Sequence, residues 1–318
     1  GATLVRGQPI TIAVDARGTS ALLVDISVND LFLITSLSPP FQQSFIVPFG
    51  VSALTFGARA RDANGNLGLA APVTVSVIPD PLTSVQGTVT DRQGNPVAGA
   101  NVALKLNGLK GEFFAFITPL TALPDLTGRT ADVEKHIPAI DFRNPNNVFG
   151  ADTFGVALGT NFAARFTGLI KIATPGSYTF TLAADDGAKL LINGSAVAEV
   201  AATGRFSEAS GTVSLPAGTA SIEVQYFQNG GSAEIQLSFR NVTVTGDERR
   251  VVPPAMLAPA VDRFTGVTGP AGTFSIANVP VAAGVFRVAA SATVAGVPLT
   301  GSSGEITPAL GGVTNAGT

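Results

Sequence analysis

The chain has 318 residues, 45% hydrophobic and only 13% charged, with a formal net charge of -3. That balance argues against nucleic acid as a partner, because phosphate recognition calls for a basic face. Cys and Trp are absent and Met and His occur once each, which excludes disulfides, thiolate metal sites, cysteine nucleophiles and a multi-histidine zinc centre.

The length predicts two or three domains. The wealth of Gly, Pro, Thr and Val favours strands and tight turns, so the expected fold class is all-β, built of β-sandwich domains. No apolar stretch reaches the ~20 residues a membrane span needs. Gly1-Ala2-Thr3 carries no leader signal, so the chain reads as a mature or excised piece of something longer.

Residues 1–80 read as a first β-sandwich. Ile10, Ile12 and Val14 alternate with small or polar neighbours, as do Leu54, Phe56, Ala58 and Ala60, and then Val73, Val75 and Val77. Asp62-Ala63-Asn64-Gly65-Asn66 is a turn between two of these runs, and Ile78-Pro79-Asp80-Pro81 is a linker, since proline cannot continue a central strand. The stretch ARARDANGNLGLAAPVTVSVIPDP resembles the last hairpin of bacterial immunoglobulin-like surface repeats.

A second unit opens at SVQGTVTDRQGNPVAGANVAL, with strands at 85–89 and 100–104 around the turn Gln93-Gly94-Asn95-Pro96. It resembles the start of carboxypeptidase regulatory-like domains, which are transthyretin-like sandwiches. The next element of that family appears only at TGVTGPAGTFSIANVP, residues 265–280. The resemblance implies one sandwich split into 84–106 and 264–316 by an insertion. Such insertions are tolerated at exposed loop tips and bring the inserted ends close together.

The insert, 107–263, alternates apolar and polar residues along 222–226 and 233–239. Its turns lie at Pro175-Gly176, Asn193-Gly194 and Pro216-Ala217-Gly218. Asp185-Asp186-Gly187 joins two of its apolar runs. Adjacent carboxylates repel, and a hard cation bound through oxygen would offset that cost, with calcium the first candidate. A solvated acidic turn is the plainer account of the pair taken alone. The opening GLKGEFF, then FTG, PGSYTF, DDGAKLLING and YFQNGG resemble, in order, the motifs of PA14 domains. That resemblance implies a β-sandwich with barrel-like closure.

Lectin-like PA14 domains, in bacterial and yeast adhesins, hold calcium with two consecutive aspartates joined by a cis peptide. A second loop completes the shell and sugar hydroxyls fill the open positions. The resemblance places Asp185 and Asp186 as the metal-binding pair, with Gln228, Asn229 and Gly230 as further metal ligands. Asp185, Asp186, Phe227, Asn229 and Gly231 would face the ligand. Gly230 and Gly231 would let the backbone turn its carbonyls inward. Alternation points Tyr226 inward and Phe227 the other way, beside the loop, as the candidate sugar platform; the shortage of other aromatics argues against tight glycan binding.

Other signals weigh less. A lone His136 is a surface or satisfied residue before it is a catalyst, and adjacent Asp185 and Asp186 cannot flank a glycosidic bond as a hydrolase pair must. The chain is therefore expected not to be an enzyme. A Lys–Asn crosslink is impossible in the first unit, which has no Lys, and improbable at Lys105. Asn193 and Asn241 head glycosylation-type triplets, coincidental in a bacterial protein. The expected function is a calcium-dependent, carbohydrate-binding segment of a bacterial cell-surface adhesin. The rival is a structural subunit of an extracellular filament or surface layer, whose ends at 1–6 and 311–318 pair with neighbouring copies.

Overall fold

The computed structural model describes residues 2–17, 22–36, 38–201 and 204–318. They form an all-β chain of several sheets and three short 3-10 turns. The first sheet runs in the order Thr3–Val5, Val73–Ile78, Ala53–Asp62, Leu22–Val28, Leu31–Ser36, with Leu67–Leu69 added to Ala53–Asp62. It faces the pair Pro9–Ala13 and Gln42–Ile46. Val24, Ile26, Val28, Phe41, Phe45 and Leu54 fill the space between. The period of two in the sequence accounts for this, since alternate side chains of a strand share one face.

The strands at 83–105 and 265–315 interleave. Asn101–Lys105 lies between Thr265–Val267 and Arg287–Val294, with Val297–Ser302 at the edge. Thr83–Thr88 lies between Thr273–Val279 and Val313–Asn315. Val85, Val102, Leu104, Phe274, Ile276 and Phe286 form their shared core. Each of the end segments expected to pair with neighbouring copies holds a strand paired within the chain. Thr3–Val5 runs parallel to 76–78 and Val313–Asn315 parallel to 84–86, while Gly1 lies outside the described residues.

One turn is used twice. Asp62 and Asp91 each accept, through Oδ1, from the backbone N–H groups two and four residues on, all at 2.9 Å. In each, Oδ2 accepts from the side chain of the fourth residue, Asn66 or Asn95. These bonds hold the Asp62 and Asp91 carboxyls below the usual carboxylate range. Asp80, in the linker, is bound as fully: it accepts from Leu82 N, Val281 N and Ala282 N, each at 3.0 Å.

Two sheets make up the central part of the chain. One is ordered Val133–Ile137, Leu109–Ala115, Phe162–Ile172, Gly218–Gln228, Gly187–Ile192, Ser195–Val200, with Leu257–Ala258 on Phe162–Ile172. The other is ordered Asp141–Phe142, Glu234–Asn241, Gly176–Asp185, Ser207–Leu215, with Arg250–Val251 on Glu234–Asn241. Between them Phe113, Phe154, Phe162, Phe166 and Tyr226 pack with ring centroids 5.6–6.5 Å apart, the range in which tilted and edge-to-face rings attract. The sheets are open layers with free edges, so the barrel-like closure expected from the sequence does not form.

Candidate metal and ligand site

Gly176–Asp185 belongs to one central sheet and Gly187–Ile192 to the other, so Asp185 and Asp186 stand where the chain crosses between layers. Gly218–Gln228 and Glu234–Asn241 make a second crossing, through residues 229–233. Gly187 pairs with Phe227, which brings the two crossings side by side at one end of the sandwich. Gly187 has a packing reason to lack a side chain: a Cβ there would lie 2.3 Å from the Phe227 ring.

The peptide bond between Asp185 and Asp186 is cis. Asp186 is 1% exposed. Its Oδ1 accepts from Gly204 N at 2.5 Å and its Oδ2 from Asn229 N at 2.6 Å. Two separate loops are thus gathered onto one carboxylate. Asp185 Oδ1 is buried and has no hydrogen-bond partner among the described residues. Burial, and then the charge of Asp186, push the Asp185 carboxyl up to about 6. Glu234, opposite Asp185 in the strand register, is pushed up to about 7, first by burial. Sequence reading placed Glu234 among the polar residues of an alternating strand and missed its approach to the pair.

Tyr226 is the hub beneath. Its hydroxyl lies 2.6 Å from the carbonyl oxygen of Asp185 and 2.6 Å from Gln228 Oε1, and its one proton serves both. Burial, then the nearby carboxylates, hold that proton on the phenol. Gln228 Nε2 donates to Gly230 O at 2.9 Å and Ser232 O at 3.1 Å.

The expected site residues divide accordingly. Asp185, Asp186 and Asn229 come together, and Gly230 and Gly231 lie in the same loop. Gln228 does not face outward: it is 0% exposed, with its carboxamide engaged on both sides. It shapes the loop, and its oxygen is not free for a metal. Phe227 is 2% exposed and cannot be a sugar platform. It packs with Phe114, Leu120, Leu126 and Ala163, because the segment 116–131 folds back over the outer sheet face. Phe206, 42% exposed, lies two residues beyond the Gly204 that binds Asp186 and one before Ser207, which pairs with Ala184. Nothing in the local sequence marks it, because only the fold brings 204–206 to the aspartates.

A cation fits these residues on two counts. A buried carboxylate oxygen lacks a partner, and the two carboxylates sit together with no cationic side chain among the described residues bonded to either. Two carboxylates alone do not fill a calcium shell of six to eight oxygens. No third His, Cys, Asp or Glu among the described residues completes a cluster. Carbonyl, amide, water or ligand oxygens would make up the rest.

The sandwich with paired aspartates at its sheet crossings resembles known domains over part of the chain. The family model for the PA14 domain matches residues 118–250, under half of the chain. The strands Leu109–Ala115 and Leu257–Ala258 extend its sheet beyond the matched residues. No curated protein matches the chain. Among solved structures, the PA14 domain of the MpAFP antifreeze protein is 20% identical, covering 49% of this chain and 93% of its own at a TM-score of 0.42. The PA14 sugar-binding domain from an RTX adhesin is 20% identical, covering 48% and 99%, TM-score 0.41. The Epithelial Adhesin 6 A domain from Candida glabrata, in complex with Galb1-3GlcNAc, is 15% identical, covering 50% and 93%, TM-score 0.37.

Proposed function

We propose that the chain is a calcium-dependent, carbohydrate-binding segment of a bacterial cell-surface adhesin, and not an enzyme. The observation that carries the reading is the Asp185–Asp186 pair. It consists of two adjoining buried carboxylates, one with a free oxygen and the other tied by backbone N–H groups from two loops. A bound Ca2+ would relieve their repulsion and present open positions to vicinal hydroxyls of a glycan. Asp185 and Asp186 would hold the ion with the side chain of Asn229, while Gly230 O stays bonded to Gln228 Nε2 and serves the loop, not the ion. Asn229, Gly231 and Phe206 would border the sugar. Stacking on an exposed ring suits the apolar face of a pyranose. The PA14 family match over 118–250 supports this reading. The flanking sandwiches, of immunoglobulin-like and split carboxypeptidase regulatory-like type, would serve as the stalk.

The test is a calorimetric calcium titration of the whole chain against Asp185→Ala/Asp186→Ala, followed by a glycan array with and without chelator. Saturable calcium binding lost in the double variant, with chelator-sensitive glycan signals, supports the reading. No binding at millimolar calcium overturns it.

One observation favours the rival reading, a structural subunit of a filament or surface layer. Strand Val297–Ser302 closes the edge of its sheet and is exposed at every residue, Val297 and Leu299 included. Such an edge is a template for a strand from another copy. Concentration-dependent assembly without any calcium or glycan binding would support this second account.

A further inference from the structure

The segment 143–150 joins the candidate site to the core of the N-terminal sandwich. At its far end Phe149, 2% exposed, belongs to the N-terminal core and meets Phe45 edge to face, ring centroids 5.9 Å apart. The backbones touch as well: a Cβ on Gly50 would lie 2.1 Å from Phe149 O and 3.1 Å from Gly150 Cα. Arg143 adds a bond from Nη1 to Leu33 O at 3.1 Å.

The segment is closed on itself by Asn144. Its Nδ2 donates to Gly150 O at 2.7 Å and Thr153 Oγ1 at 2.9 Å, while its Oδ1 accepts from Phe149 N at 2.9 Å. At the near end, Asn146 N donates to Ser232 Oγ at 2.8 Å and Asn147 Nδ2 to Gly231 O at 3.3 Å. Ser232 O is also a partner of Gln228, the residue that shapes the second loop. A movement of Phe149 is therefore passed, through a stapled seven-residue turn, to the backbone at 231–232.

We infer that the N-terminal sandwich is a working part of the site, with Phe149 as a positioning residue that fixes the 229–232 loop against Asp186. The inference rests on the calcium reading for its functional consequence, but not for the structural coupling. Removing the Phe149 ring frees the turn, lets Gly231 and Ser232 move, and loosens the Asn229 N–H bond that orients Asp186. A residue distant from the metal then sets its affinity, since ligands held in place by their surroundings bind more tightly than mobile ones.

The test uses the full chain in three forms: Phe149→Ala, Phe149→Leu and Gly50→Val. Amide hydrogen exchange is followed in calcium-free buffer, and calcium is then titrated. Phe149→Ala and Gly50→Val are expected to speed exchange at 229–232 at least tenfold, with protection in Phe162–Ile172 and Gly176–Asp185 kept. Calcium affinity is expected to fall about tenfold in both, and Phe149→Leu to restore most of each effect. Unchanged exchange at 229–232 in both disruptive variants overturns the coupling. Wild-type protein that binds no calcium overturns the site reading instead, and the exchange result still decides the coupling. If Phe149→Ala unfolds the N-terminal sandwich, Gly50→Val, which leaves the ring in place and displaces only the backbone, decides it.

Discussion

The hydroxyl of Tyr226 sits 2.6 Å from the carbonyl oxygen of Asp185, tying the strand that carries the site's second loop to the aspartate crossing. The same hydroxyl reaches Gln228 Oε1, so one buried proton connects both loops. Tyr226→Phe keeps the ring in the aromatic core and removes only that proton. It is expected to cost about 1–3 kcal/mol, the usual loss when buried acceptors are left without a donor. Urea unfolding of the two proteins measures it, and calcium titration is expected to show weaker binding in the variant.

Asp185→Asn separates charge from shape. The unliganded variant is expected to be as stable as wild type or more so, because the side chain that burial and Asp186 hold up near 6 no longer carries charge. Stabilisation by millimolar calcium is expected to vanish. Thermal melts with calcium or chelator check both halves. A variant still stabilised by calcium would place the ion elsewhere.

Phe227 and Phe206 make a contrasting pair. Phe227→Ala empties a buried position and is expected to cost about 3–5 kcal/mol of stability. Phe206→Ala, at an exposed position, is expected to leave stability within about 0.5 kcal/mol. The same change is expected to weaken glycan binding roughly tenfold, with calcium binding intact, if the ring stacks on the sugar. Denaturant melts and glycan titrations distinguish the two.

His136 titrates against the fold. Its ring nitrogens are hidden from solvent, and burial lowers its pKa to about 4 against the opposing pull of the Asn107 backbone. The unfolded chain binds a proton near 6.5, so between pH 6.5 and 4 it holds more protons than the native state. Stability from this residue is complete above 6.5 and is lost as pH falls towards 4. Against His136→Phe, wild type is expected to lose up to about 3 kcal/mol over that interval. Paired urea melts at pH 7 and pH 4.5 give the difference.

Alternation and turn chemistry made much of this architecture readable. Asn193 and Gly194 both take positive φ, 49° and 76°, as a two-residue hairpin turn requires. The aspartate pair announced itself by the cost of its charges. Phe227 shows where such reading ends. Period-two logic correctly turned it away from Tyr226, but a strand pattern does not say what covers the outer face, and residues 116–131 cover it. Gln228 was expected to be a ligand because the resemblance put its loop beside the aspartates. Its real partners, Tyr226 and the carbonyls of 230 and 232, become neighbours only once the loop is folded. His136 was expected at the surface or satisfied, and its nitrogens are in fact hidden from solvent.

Asp80 gives the chain a mechanical character. Its carboxylate grips the start of the second unit at Leu82 and the far-away turn at 281–282. The linker after the first sandwich therefore has little slack. Tension applied along the polypeptide would meet three N–H bonds converging on one side chain before it could stretch the connection. A segment tethered this way transmits pull as a strut does.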